Sequence, residues 1–208
     1  MCIRDSSHTT HAKTRFIIDY QTADSIADIL TVFLQNGADA IMGMPRPILL
    51  EAIKKAEDRA GRRLIRVWTP NFNLTPEDKL EFGPEEAFDF CKKHDGTFCM
   101  PHQCVTDALM DKLHKTIRDL DKYMKMIRER GMVPGLSTHM PETIVYADKM
   151  NADVETYIQI YNADGFLMQI EVDWVMRLIS EAKKPVMTIK PMAAGRLHPA
   201  IGLAFVWN

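Results

Sequence analysis

The sequence predicts an α/β chain, a (β/α)8 barrel of parallel strands that lacks its eighth strand and helix. Three observations lead there. Short β-type runs alternate with helix-period runs from residue 15 onward, at roughly 25 to 35 residues per pair, the length a βα unit needs. Seven such pairs can be counted, more than a small open sheet requires and one fewer than a closed barrel. No Gly-x-Gly-x-x-Gly and no Walker A run follows any strand, which turns the reading away from a doubly wound nucleotide-binding sheet.

Each element has its local signal. Residues 15–19, Arg-Phe-Ile-Ile-Asp, form the first β-type run. Residues 22–36 carry apolar side chains at Ile26, Ile29, Leu30, Phe33 and Leu34, which is helical spacing, with Thr22 or Asp24 to cap the start and Gly37 to stop it. Strand 38–43 and helix 47–60 follow, the latter ending at Gly61. Strand 63–69 leads through an irregular stretch, 71–84, into helix 84–93, and strand 96–100 comes next. Residues 106–130 keep helical spacing throughout; they form one long helix, or a short loop helix and a main one that part near His114. Strand 131–136, helix 141–150, strand 156–161, helix 172–184, strand 185–190 and a last helix from Pro199 complete the order. Pro141 suits a helix start, where a missing N–H costs nothing.

Composition narrows the function classes. Lys and Arg number 26 against 28 Asp and Glu, so nothing calls for nucleic acid or an anionic membrane as a partner. No apolar run approaches the length of a membrane span. The four cysteines have no C-x2-C spacing, which argues against a structural zinc or a secreted disulfide framework and for a cytoplasmic setting. Cys104 reads as a small buried hydrophobe. Residues 1–12 read as a non-native or disordered leader, leaving 13–208 as a single partial barrel domain. The apolar end Leu203-Ala-Phe-Val-Trp-Asn208 suggests that the chain is a fragment and leaves a seam that would favour a homo-oligomer.

Barrel chemistry is built at the C-terminal strand ends. That rule selects Arg46, Asn71, His102 with Gln103, His139, Asn162 and Lys190 from different strands. Lys190 is the most informative of them. A lysine closing a strand could face the mouth, where its amine would attack a carbonyl, or it could bind an anion by charge alone. His102 and His139 follow neighbouring strands and could move protons. No cofactor is favoured; a divalent metal is the alternative, with His102, His139 and Glu171 as its ligands, although their spacing is not diagnostic. Gly195 and Arg196 resemble an anion-binding loop, with Arg46 as a second anion ligand. His94, His114 and His198 read as structural or exposed.

The motifs Cys99-Met-Pro-His-Gln-Cys104, Gly135-Leu-Ser-Thr-His139 and Ile189-Lys-Pro-Met-Ala-Ala-Gly-Arg196 resemble those of an uncharacterised bacterial family of aldolase-type TIM barrels. The resemblance spans residues 15–208 and implies a lysine enzyme whose Schiff-base residue comes late in the barrel, the zone that Lys190 occupies. Three functions stand open at this point. The first is an aldolase or lyase acting through Lys190 on a small anionic carbonyl metabolite. The second is a metal-assisted hydrolase using His102 and His139. The third is a non-catalytic ligand-binding barrel fragment.

Overall fold

The structure, a computed structural model, describes residues 20–207. The first predicted strand, the leader and Asn208 lie outside the described residues. Within them the chain runs α1 (Ala23–Gln35), β1 (Ala40–Gly43), α2 (Pro47–Ala60), β2 (Ile65–Trp68), α3 (Pro84–Lys93), β3 (Phe98–Cys99), α4 (Gln103–Leu109), β4 (Met110–Asp111), β5 (Thr116–Ile117), α5 (Leu120–Glu129), β6 (Val133–Thr138), α6 (Glu142–Met150), β7 (Thr156–Ile160), α7 (Val172–Glu181), β8 (Val186–Ile189), a 3-10 turn (Ala193–Gly195) and α8 (Pro199–Trp207).

Six parallel strands form one sheet in the order β1-β2-β3-β6-β7-β8. The order never reverses. A doubly wound sheet would reverse at a switch point, so the winding is that of a barrel. The result is a curled, open six-stranded sheet, an incomplete barrel. Six of the seven predicted strands are thereby accounted for, with β6 displaced two residues toward the C-terminus of its expected position.

Alternation along the strands separates two apolar layers. Trp68, Cys99, Leu136 and Tyr157 join Ile53, Ala56, Phe88, Met124 and Ile127 of the helices in one large core. Their neighbours Val67, Met100, Ile158, Ile160 and Ile189 form a second, smaller cluster with Met42, Phe98 and Met187. Period-two alternation puts these two sets on opposite faces of the sheet, and the helical side chains all belong to the first. The helices therefore cover one face, and the other face is concave and rich in methionine. Gly135 lets that inner layer close: a Cβ there would lie 2.6 Å from the Thr156 carbonyl oxygen and 2.7 Å from Met100 Cε.

Local chemistry sets the helix ends much as the sequence predicts. Thr22 and Ser25 make a reciprocal capping box on α1. Gly61 closes α2 in the left-handed region, at φ +65°. The region 106–130 is two helices, and a small antiparallel hairpin, β4–β5, lies between them. Asp111 accounts for the break. Its Oδ1 accepts the N–H groups of Leu113 and His114, both at 3.0 Å, and so turns the chain back. Leu113, placed by periodicity on an apolar helix face, is 84% exposed at the hairpin tip.

Candidate functional site at the strand ends

Because the strands are parallel, the residues that follow them collect at one end of the sheet. Short backbone bonds continue the pairing into this zone: Thr69 N–H to Gly43 O at 2.8 Å, Met100 N–H to Trp68 O at 2.9 Å and His102 N–H to Pro70 O at 2.8 Å. Arg46, Asn71, His102, Gln103, His139, Asn162 and Lys190 all lie in the segments that follow the parallel strands, at this end of the sheet.

His102 is held from two sides. Its backbone is bound to the turn after β2, and its Nδ1 accepts the Cys104 N–H at 3.3 Å, so the ring caps α4. A ring that accepts at Nδ1 carries its neutral-form proton on Nε2. Burial first, and then the positive charge of Lys190, hold the imidazole below its ordinary pKa of 6.5. Neutral His102 therefore offers an Nε2–H donor. The influence of Lys190 is informative for another reason. Lys190 follows β8 and His102 follows β3, three places apart in the sheet. Only the curl of the sheet brings them within electrostatic reach.

Lys190 begins a strained loop. It has φ +58°, and Ala193 and Ala194 have φ +47° and +57°, ahead of Gly195 at +89°. Left-handed conformations cost an L residue about 1–2 kcal/mol. Strain of this kind persists only where surrounding packing imposes it, and it collects at functional sites. Here the packing comes from α8. A Cβ on Gly202 would lie 2.4 Å from the Pro191 carbonyl oxygen, and Phe205 meets Tyr161 at a ring distance of 5.0 Å. The helix is pressed directly against the loop backbone.

Arg196, expected to bind an anion, lies with its guanidinium 4.2 Å from the Phe166 ring centre and 3.4 Å from Asp164. It is still well exposed and can exchange Asp164 for a ligand anion. Asn162 is fully buried, and both ends of its amide are used on Phe166: Oδ1 accepts the N–H at 2.8 Å and Nδ2 donates to the carbonyl at 3.1 Å. It fixes the β7–α7 loop on which Arg196 rests. Gln103 donates through Nε2 to Cys104 Sγ at 2.9 Å. Arg46 is exposed at the start of α2, and Asn71 is half-buried beyond β2.

Cys104 is exposed rather than buried. It stands in the first turn of α4 on the side away from Val105 and Thr106, which fill the core. The three remaining histidines in the described chain behave as expected. His94 ends α3 and packs edge-on against Phe90. His114 pairs with Asp111 at 2.7 Å on the hairpin. His198 is exposed and accepts the Ala200 N–H. Among the described residues no group of three His, Cys, Asp or Glu side chains stands close enough to hold a metal ion. Glu171 is exposed at the start of α7, and the Nδ1 of His102 is already used in capping α4.

Asp107 is a carboxylate at this end of the sheet that the strand-end rule did not select. It sits in α4, accepts the Thr138 hydroxyl at Oδ1 and accepts the His139 backbone N–H at Oδ2, 3.2 Å away. A cleft of about 500 Å3 opens beside it, lined also by Met110, Lys112, Arg118 and Met140. Another, of about 460 Å3, lies at the opposite end of the sheet around Arg62, Arg63 and Lys93. Its central pair, Arg66 and Glu57 at 2.8 Å, is mutually neutralised and buried. That arrangement supports the core and offers no reacting group.

No family model matches the sequence, and comparison with curated proteins finds no match. Solved structures do resemble it. A protein provisionally assigned as an aldo-keto reductase, from Pseudomonas aeruginosa, superposes with a TM-score of 0.59 at 14% identity, covering 87% of this chain and 72% of that one. An N-acetylmannosamine-6-phosphate 2-epimerase from Clostridium perfringens gives 0.44 at 10% identity, over 98% and 88%. The carboxyl transferase domain of Rhizobium etli pyruvate carboxylase gives 0.49 at 11% identity, over 89% and 31%. The first of these establishes a shared barrel-type fold; the other two are too distant to carry weight. Among the described residues no helix is long and apolar enough to cross a membrane.

Proposed function

We propose that the chain belongs to a barrel enzyme of aldolase or lyase type that acts on a small anionic carbonyl compound. In this reading the Lys190 amine adds to the carbonyl carbon, water leaves and an imine forms. Neutral His102 donates Nε2–H to the oxygen as charge builds there, His139 moves protons nearby, and Arg196 holds the anionic group after releasing Asp164. The observation that supports the reading is that the Lys190 charge is felt at His102 although β8 and β3 are not neighbours in the sheet. The strained backbone at Lys190 and the apolar, methionine-rich concave face add support.

The test is imine trapping. The protein is incubated with glyoxylate, pyruvate and small aldehydes, reduced with borohydride and weighed by mass spectrometry beside Lys190→Ala. A stable mass increase that disappears in the variant is expected. Equal labelling of both proteins, or none, overturns the lysine mechanism. Stoichiometric metal that is lost on changing His102 or His139 would establish the metal-assisted hydrolase in its place.

A further inference from the structure

The strand-end site leaves one half-buried carboxylate without a role in the chemistry. α4 spans the ends of two adjacent strands, β3 and β6. His102 caps its first turn, and Asp107 stands one turn later. Asp107 grips the last residue of β6 and the residue after it, through the Thr138 hydroxyl and the His139 N–H. Thr138 is itself fully buried; its hydroxyl also accepts the Met140 N–H at 2.9 Å and meets Thr143 Oγ1 at 3.0 Å. The two histidines of the mouth are thus tied to opposite ends of one short helix.

This joint uses a charge where a neutral group would suffice for packing. Burial pushes the Asp107 carboxyl up, and the Thr138 and His139 bonds counter it only in part. Retaining a carboxylate there costs stability, but a charged acceptor holds its donors more strongly than a neutral one does. That hold matters for a turn that must present a ring at a fixed place.

We infer that Asp107 is a positioning residue, fixing the turn after β6 so that His139 is presented to the mouth that His102 lines. The inference rests on the reading of the strand-end site given above. It assigns Asp107 no contact with substrate.

The test follows histidine ring resonances by NMR across pH in the full chain. Wild type is compared with Asp107→Asn, Thr138→Val and Thr138→Ser, with a thermal melt of each to establish folding. Thr138→Val removes the hydroxyl that Asp107 accepts while leaving the carboxyl group itself in place. His139 is expected to shift its titration by several tenths of a pH unit in Asp107→Asn and in Thr138→Val, while His94 and His198 stay in place. Thr138→Ser, which keeps the hydroxyl, should restore the wild-type pattern. If Asp107→Asn does not fold, the two Thr138 variants decide the matter. A His139 ring that is unmoved in folded Thr138→Val overturns the inference. Failure of imine trapping would remove the lysine mechanism and leave this histidine pattern to be judged separately.

Discussion

Helices α5 and α7 have the same length and comparable amphipathic patterns, yet they meet different fates. α5 buries Leu120, Tyr123, Met124, Met126 and Ile127. α7 buries Val175 alone among the described contacts and leaves Trp174 and Met176 more than half exposed. The difference belongs to what lies beside them. α5 sits in the middle of the array, where Phe72, Phe88 and Tyr123 meet edge to face. α7 sits near β8, the last strand of the described sheet. An apolar stripe in a sequence states what a helix can bury; neighbouring elements decide what it does bury. The candidate site straddles the two regions. His102 comes from the packed one, and Lys190 from the thin one, on a loop held in strain by α8.

This contrast makes graded predictions. The largest effect is expected in the packed region: Ile127→Ala should cost about 2–5 kcal/mol in a denaturant titration, whereas Trp174→Ala should stay within about 0.5 kcal/mol. Similar losses at the two positions would abolish the contrast. Next comes Gly202→Ala. Its Cβ would meet the Pro191 backbone, so a loss of about 1–3 kcal/mol is expected, with amide resonances of residues 190–196 shifting and those of α5 unmoved.

A smaller effect is expected from acid. His102 in the folded chain has a lowered pKa, so below about pH 6.5 the unfolded chain takes up a proton that the folded chain refuses. This contribution to stability is present above the unfolded pKa and declines as pH falls through the window between the two values. Chemical denaturation from pH 7.5 to 5.5 should show the decline, and His102→Gln should reduce it. The smallest effect should be a gain. Ala194→Gly places glycine at a left-handed position, and thermal melting should rise by an amount equivalent to up to about 1 kcal/mol. A fall in melting temperature would mean that the methyl group is doing more there than the backbone angle suggests.

Much of the fold was legible because its signals are local. Capping at Thr22, the stop at Gly61 and the proline starts of α2, α3 and α8 needed no knowledge of the partner elements. The six strands of the main sheet were also legible, since buried parallel strands are short apolar runs with turn residues at their ends. The β4–β5 hairpin was not. Leu109, Leu113, Ile117 and Leu120 keep a helical rhythm, but the Asp111 side chain competes for two backbone N–H groups and the backbone turns left-handed at Lys115 and Asp119. Cys104 was misjudged for a related reason: a cysteine's average burial says nothing of which face of a two-turn helix it occupies.

The sequence proposes the site as a set of strand ends and says nothing of its geometry. Lys190 and His102 could be named from the rule that chemistry gathers at the C-terminal ends of barrel strands. Their approach to one another depends on sheet curl, which no short stretch of sequence encodes. The strain at Ala193 and Ala194 was equally hidden, because alanine gives no hint of a left-handed backbone; the cause lies at Gly202, eight residues beyond Ala194. Asn162 and Arg196 illustrate the same point. Each was identified as a polar group at the mouth, but which loop each would hold depended on Phe166 and Asp164.

The measurement that tests the shared mouth most directly is the titration of the His102 ring in wild type and in Lys190→Met, followed by NMR. The pKa should lie below 6.5 in wild type and rise when the lysine charge is removed, with the Nε2–H tautomer retained in both. A His102 that titrates identically in the two proteins would mean that Lys190 does not face it, and would contradict a site built from both ends of the sheet.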